Sequence, residues 1–201
     1  MPVPLGGLAN ASVTMTLFEY LAVAFSIVLS LAAVRLLSGL SVAFAPERRY
    51  WPHAMWIVFA LLTSALVWWN FWSFREVSWN FFEFLLVLLA PALIYLQAAA
   101  LVPENPSLVR SWREHFFTAR KRLFVALGSF FLLAAGISWL LLDFPLLHPA
   151  RVVQASAFGL ALSGAVSTNK RFHDVLPFIF LALLSIAATL LLRPGSIASP
   201  P

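Results

Sequence analysis

The chain has 201 residues, of which 62% are hydrophobic and 10% charged, and its formal net charge is +5. Soluble domains average roughly a quarter charged residues, so the composition argues against an ordinary soluble domain. The absence of cysteine excludes a disulfide framework, cysteine-ligated zinc, iron–sulfur clusters and thiol catalysis. We interpret the positive charge as loop charge facing anionic lipid, because no base-reading motif accompanies it.

The apolar residues fall in blocks of about 20, the length that crosses a hydrocarbon core of roughly 30 Å. They predict an all-α, polytopic integral membrane protein, a bundle of six transmembrane helices in a single domain over residues 16–192. The predicted spans cover residues 16–40, 52–72, 79–102, 121–142, 150–168 and 173–192. We expect residues 1–15 and 193–201 to be short extracytoplasmic segments.

Span one carries a carboxylate and an arginine on different sides of its helix. Glu19 shares a face with Ala22, Ser26 and Ser30, and a small, polar stripe of this kind is expected to face other helices. Arg35 lies near the cytoplasmic end, where its long side chain is expected to reach lipid headgroups. The alternative role for Arg35 is a counter-ion in a substrate path.

Spans two and three add polar side chains to the predicted interior. Glu83 lies near the outer end of span three and shares a face with Gln97. Pro91, in the middle of that span, lacks a backbone donor and is expected to kink the helix. The predicted lining of a polar interior comprises Glu19, Asn70, Glu83 and Gln97, with Pro91 shaping it. The alternative is that the two carboxylates only hydrogen-bond neighbours at the outer rim.

The connection between spans three and four has helical periodicity of its own. Pro106 is typical of a first helical turn, and Trp112, Phe116 and Ala119 recur at helical spacing. The pattern predicts a short amphipathic helix over about residues 106–120 that lies on the cytoplasmic leaflet. The alternative is that this segment extends span four into the cytoplasm.

Span five is marginally hydrophobic and rich in small residues. One ladder of small residues consists of Ala155, Gly159, Ser163 and Ser167. A second ladder consists of Ala157, Ala161 and Ala165. Small residues at this spacing let backbones approach closely. We therefore expect a packing face, either within the bundle or at an oligomer interface.

Basic residues concentrate in the connections after spans one, three and five, and the positive-inside rule places these connections in the cytoplasm. Both termini are then extracytoplasmic, and a bacterial inner membrane is the expected location. Together with Arg35, the residues expected to contact anionic headgroups are Arg48, Arg49, Arg110, Arg113, Arg120, Lys121, Arg122, Lys170 and Arg171.

The histidines lie near the predicted membrane surfaces. His53 and His173 begin spans two and six, and a haem or metal between them is conceivable. We expect no metal and no cofactor, because these side chains lie at the edges of the spans. The sequence contains no motif for serine hydrolysis, zinc proteolysis or phosphate binding, so catalysis is not expected.

These features support three functional hypotheses. The leading one is a small channel or transporter, linked to protons or cations through the polar interior. The second is a non-catalytic scaffold or partner subunit of a larger membrane complex. The third is a lipid- or cofactor-binding membrane protein that uses the cytoplasmic arginines and histidines. Expected partners are membrane lipids and a second copy of the chain or another membrane protein, whereas no nucleic acid is expected.

Overall fold

The structure is a computed structural model that describes residues 15–44 and 50–191. This described part is built from helices and contains no strand, which confirms the all-helical prediction. Its helices are α1 (Leu17–Ala43), α2 (Trp51–Asn70), α3 (Phe81–Leu101), α4 (Trp112–Leu140), α5 (Pro149–Val166) and α6 (Lys170–Leu191). Two 3₁₀ turns join them, Phe71–Phe74 after α2 and Pro106–Leu108 before α4. Arg48, Arg49, the predicted tail 193–201 and all but the last residue of segment 1–15 lie outside the described residues.

Within residues 15–44 and 50–191, five helical segments are long and apolar enough to cross a membrane. They are Leu17–Ala43, Trp51–Phe74, Phe81–Leu108, Trp112–Leu140 and Lys170–Leu191. Helix α5 has 18 residues and is not among them. The length and apolarity of these helices are those of an integral membrane protein.

Helices α1 and α3 each have a pair of reciprocal hydrogen bonds at the N-terminus. The Thr16 hydroxyl accepts from the Glu19 backbone N–H at 3.2 Å, and the Glu19 carboxylate accepts from the Thr16 backbone N–H at 2.7 Å. Asn80 and Glu83 repeat the arrangement at α3, with distances of 3.0 and 3.1 Å. These capping boxes satisfy backbone donors that every helix N-terminus leaves without an intrahelical partner.

The helices pack in a closed order, in which α1 contacts α3, α3 contacts α4, α4 contacts α5, α5 contacts α6, α6 contacts α2 and α2 contacts α1. A cluster of buried aromatic rings joins α2, α4 and α6. The Trp56 ring lies 5.1 Å from both the Phe124 and Phe180 rings and 5.5 Å from the Phe59 ring, measured between centroids. All four side chains are at most 1% exposed, so this cluster is the centre of the core.

The structure corrects the predicted interfacial helix over residues 106–120. Residues 106–108 form a 3₁₀ turn, and a single helix then runs from Trp112 to Leu140 without a break at position 121. Its N-cap is Ser111, whose hydroxyl accepts from the Glu114 backbone N–H. The apolar stripe packs against protein rather than lipid, because Trp112 stacks on His53 with ring centroids 4.6 Å apart. The structure therefore has the alternative arrangement, in which the segment from Trp112 onward extends span four.

Helix α5 turns one of its two small-residue ladders inward. Ala157 and Ala161 are fully buried, and Gly164 is also buried. The other ladder points away from the chain's own helices, since Ala155, Gly159 and Ser163 are exposed. Close packing within the bundle therefore uses the second ladder, and the first ladder presents an outer face.

We predict that two glycines are required by close helix packing. A β-carbon at Gly39 would overlap the Val102 side chain, and one at Gly164 would lie 2.8 Å from the Phe124 ring. Gly39→Ala and Gly164→Ala are expected to destabilise the protein by about 1–3 kcal/mol, the usual cost of overpacking. Thermal unfolding in detergent measures the effect.

Gly136→Ala is the matched control, because nothing lies within 4 Å of a β-carbon there. It is expected to leave the midpoint of thermal unfolding unchanged or to raise it, since alanine favours helix more than glycine does. Adding Val102→Ala to Gly39→Ala should restore the lost stability, because it removes the Val102 methyl groups that a β-carbon at position 39 would overlap. Equal loss of stability in all three glycine variants would contradict the packing described.

Candidate functional site

A cavity of about 170 Å³ lies where all six helices converge. Its walls are mainly apolar, and we call it the apolar chamber. Each helix contributes to the lining, with examples in chain order being Phe25, Thr63, Ala90, Ala134, Val153 and Ala187. A cavity of roughly 150 Å³ with apolar walls is large enough to hold a benzene-sized group. The chamber therefore accommodates one compact apolar group in the middle of the bundle.

A second cavity of about 860 Å³ adjoins the first. Aromatic side chains dominate its wall, and we call it the aromatic chamber. Those side chains are Phe18, Trp68, Trp69, Phe71, Trp72 and Phe144. The two chambers share four lining residues, which are Asn70, Leu142, Phe144 and Leu191. The two chambers are thus neighbours, toward the end of the bundle where α2, α4 and α6 end.

Arg151 organises the polar part of the apolar chamber. Its Nη1 donates to the Ser138 hydroxyl at 2.8 Å and to the Gln154 side-chain oxygen at 3.3 Å. The same nitrogen donates to the Ala135 carbonyl at 2.6 Å, and Nη2 donates to the Phe144 carbonyl at 3.0 Å. Arg151 thereby ties α5 to the end of α4, where a cation also complements the helix dipole. Ser138 and Gln154, both in the chamber wall, are held in place by it.

Pro91 lies next to Ala90, a wall residue of the same chamber. It lies inside α3 and is buried. Proline has no N–H to donate to the carbonyl four residues earlier, which is that of Val87, a lining residue of the apolar chamber. The predicted kink position therefore lies beside the wall of the apolar chamber.

The two carboxylates predicted to line a polar interior are used elsewhere. Glu19 and Glu83 each hydrogen-bond to the N-cap residue of their own helix, and neither lines the apolar or the aromatic chamber. Gln97 is 1% exposed and also lies outside both linings. Of the predicted polar lining, Asn70 alone borders these chambers.

The opposite end of the bundle carries most of the described basic residues. Arg110, Arg113, Lys121, Arg122, Lys170 and Arg171 are exposed there, and Arg120 is half-buried. Arg35 is also half-buried, and it packs against α3, where its Nε donates to the Val102 carbonyl at 2.7 Å. Its guanidinium thus satisfies a carbonyl at the C-terminal end of α3.

Tyr50 and Asp174 link α2 to α6 at this end. The Tyr50 hydroxyl donates to the Asp174 carboxylate at 3.3 Å, and Lys170 pairs with the same carboxylate at 3.0 Å. Burial, with the negative charge of Asp174 adding to it, raises the pKa of Tyr50 to about 12. The phenol therefore stays protonated and acts as a donor at physiological pH.

Three histidines lie near the basic end. The His53 and His115 rings meet edge-on with centroids 5.8 Å apart, whereas His173 lies apart from this pair. His115 Nε2 is 3.1 Å from the Ala100 and Leu101 carbonyls, and His173 Nε2 is 2.9 Å from the Ser167 carbonyl. The ring of Phe116 lies 6.4 Å from the His53 ring and 5.3 Å from the His173 ring, so an aromatic side chain occupies the region between them. In residues 15–44 and 50–191 no group of three metal-binding side chains comes together.

Comparison with known proteins does not identify a relative. No protein-family model, curated protein or solved structure matches this chain. The functional interpretation therefore depends on the geometry of the chain itself.

Sequence reasoning missed most of the residues that form the chambers. Thr63, Ser138 and Gln154 are polar residues within apolar segments. Their polarity in that setting was the signal that could have identified them. Trp68, Trp69 and Trp72 lie at the end of span two, where tryptophan is typical of a membrane surface. Their convergence with Phe18 and Phe144 on one cavity depends on the tertiary structure.

Proposed function

We propose that this protein binds a lipid or lipid-like amphiphile in the joined apolar and aromatic chambers. The observation that carries the proposal is the convergence of all six helices on an apolar cavity that shares wall residues with a larger aromatic one. Ligand pockets commonly measure about 300–1,000 Å³ and have mostly apolar walls with a few polar groups. The aromatic chamber falls within that range, and the apolar chamber suits the end of a chain or a single ring.

The walls also support an amphiphile rather than an ion. The apolar chamber has few polar side chains, and Arg151 engages the backbone of α4 and Phe144. Transport of protons or cations through Glu19 and Glu83 has less support, because both carboxylates cap their own helices. Movement of the amphiphile across or along the membrane remains compatible with this site.

We further propose that all six helices span the membrane, with α5 as the sixth span. An 18-residue helix is about 27 Å long, which nearly matches the hydrocarbon core. Packing of α5 against α4 and α6 covers its inward face, and its polar residues Arg151 and Gln154 bond to α4 near one end. Protein contacts thus compensate for its low hydropathy.

The charge distribution supports an orientation for this bundle. The exposed basic residues lie at the end where α2, α4 and α6 begin, and the positive-inside rule places that end in the cytoplasm. There they would meet anionic headgroups of the inner leaflet of a bacterial inner membrane. The aromatic chamber would then open on the extracytoplasmic side, which also carries both termini.

A scaffold role is a second candidate. Ala155, Gly159 and Ser163 form an exposed face of α5, and nothing lies within 4 Å of a β-carbon at Gly159. Intrachain packing does not require glycine there, whereas close approach of another membrane helix would. A second copy of the chain or another membrane protein would fit that face.

The six-span orientation predicts which connections are accessible from outside. The chain has no cysteine, so single cysteines can be introduced at the exposed residues Leu147 and Thr168, which flank α5. In intact cells a membrane-impermeant maleimide should label Leu147→Cys and should label Thr168→Cys only after permeabilisation. Labelling of both positions in intact cells would show that α5 does not cross the membrane.

The binding proposal predicts that filling the apolar chamber prevents ligand entry. Ala187 lines this chamber, whereas the neighbouring Ile186 is 48% exposed on the outer face of α6. Ala187→Phe is expected to reduce photo-crosslinking to a phospholipid that carries a diazirine at its chain end by about tenfold or more. Ile186→Phe, the matched control, should retain wild-type crosslinking.

Peptide mapping by mass spectrometry locates the crosslinks. In the wild-type protein they are expected to concentrate on residues 63–76, 130–144 and 184–191, which supply most of the two linings. Crosslinks spread evenly over the exposed faces of all helices, with no effect of Ala187→Phe, would mean that the chambers do not bind lipid chains.

A further inference from the structure

Aromatic rings in the wall of the aromatic chamber contact one another in stacked and edge-on arrangements. The Trp68 and Phe71 rings are nearly parallel, with centroids 5.9 Å apart and planes 4° apart. The Phe18 ring from α1 stacks on Phe71 at 5.1 Å and meets Trp72 edge-on at 6.2 Å. Tryptophan is common at membrane surfaces as an anchor. These rings differ from separate anchors because residues of α1, of α2 and of the turn after α2 converge on one cavity.

The lining of this chamber includes one cation and one anion. Arg75 Nη2 lies 2.9 Å from the Glu76 carboxylate, and both residues line the chamber. The Arg75 guanidinium carbon also lies 5.6 Å from the Trp72 ring centroid. The aromatic wall thus already supports one cation–π contact. Such rings also attract organic ammonium groups, for which aromatic cages are the usual receptor.

This charge pattern differs from that of the opposite end of the bundle. The basic end presents a net positive surface, which attracts net negative headgroups. The Arg75–Glu76 pair has no net charge but a strong local dipole. A ligand that complements it carries both charges itself, with its anion near Arg75 and its cation near Glu76 and the ring faces. Arginine is also the side chain best suited to a phosphate ester.

We propose that the aromatic chamber recognises the headgroup of a zwitterionic phospholipid, one that joins a phosphate to an ammonium group. The phosphate pairs with Arg75, and the ammonium group contacts Glu76 and the face of Trp68 or Trp72. An acyl chain then extends past Asn70, which both linings share, into the apolar chamber. This assignment rests on the proposed function, because it names the class of amphiphile bound at the same site.

Competition among phospholipids that differ only in headgroup tests the proposal. The full-length protein in detergent is crosslinked to the chain-end diazirine phospholipid in the presence of phosphatidylethanolamine, phosphatidylglycerol or diacylglycerol with matched chains. Phosphatidylethanolamine is expected to displace the probe at a concentration about tenfold lower than either competitor. Glu76→Gln should reduce this preference by about fivefold, as expected for one exposed charge and its ring contacts.

Glu104→Gln is the control variant, since Glu104 is an exposed carboxylate in the connection at the basic end. It should leave the preference unchanged. Equal displacement by all three lipids would overturn the headgroup assignment while leaving chain binding intact. Stronger displacement by phosphatidylglycerol would overturn it in favour of an anionic ligand. Failure of every lipid to displace the probe would instead count against the proposed function itself.

Discussion

Packing of the buried rings of α2, α4 and α6 sets the spacing on which the rest of the bundle depends. The Trp56 ring meets the Phe124 and Phe180 rings in edge contacts with centroids 5.1 Å apart, and all three side chains are almost completely buried. Protein interiors pack as densely as organic crystals, so these large rings hold their helices at a defined separation. Farther along α4 and α6, the wall of the apolar chamber includes the small residues Ala134 and Ala187. We infer that the spacing set by the rings leaves the apolar chamber between those small residues.

The two ends of the bundle differ in chemistry as well as in packing. One end has a closed core of aromatic and histidine side chains beneath exposed basic residues. The other opens into the aromatic chamber, where the charged side chains among the described wall residues are Arg75 and Glu76. At that end Arg151 of α5 donates to the backbone carbonyls of Ala135, in α4, and of Phe144, in the connection between α4 and α5. Because these bonds fix the end of α4 against the start of α5, the chamber wall is held in place without a carboxylate partner among the described residues.

Much of the helical architecture was predictable from sequence, whereas the site was not. Blocks of apolar residues predict helices because lipid requires every backbone polar group to be bonded within the segment. Local periodicity could not decide whether the stripe of Trp112 and Phe116 faces lipid or protein, and only the contact with His53 settles that point. Glu19 and Glu83 were interpreted from their helix faces, although Thr16 and Asn80 three residues earlier favour capping. The chambers were beyond reach because residues far apart in the chain form their walls.

Native mass spectrometry of the wild-type protein released from nanodiscs of mixed phospholipid composition tests the central claim most directly. The joined chambers predict one phospholipid that stays bound after the surrounding lipids and detergent are stripped, and its mass identifies the headgroup. Protein released without lipid, or with a broad statistical distribution of adducts, would contradict a specific lipid site in this bundle.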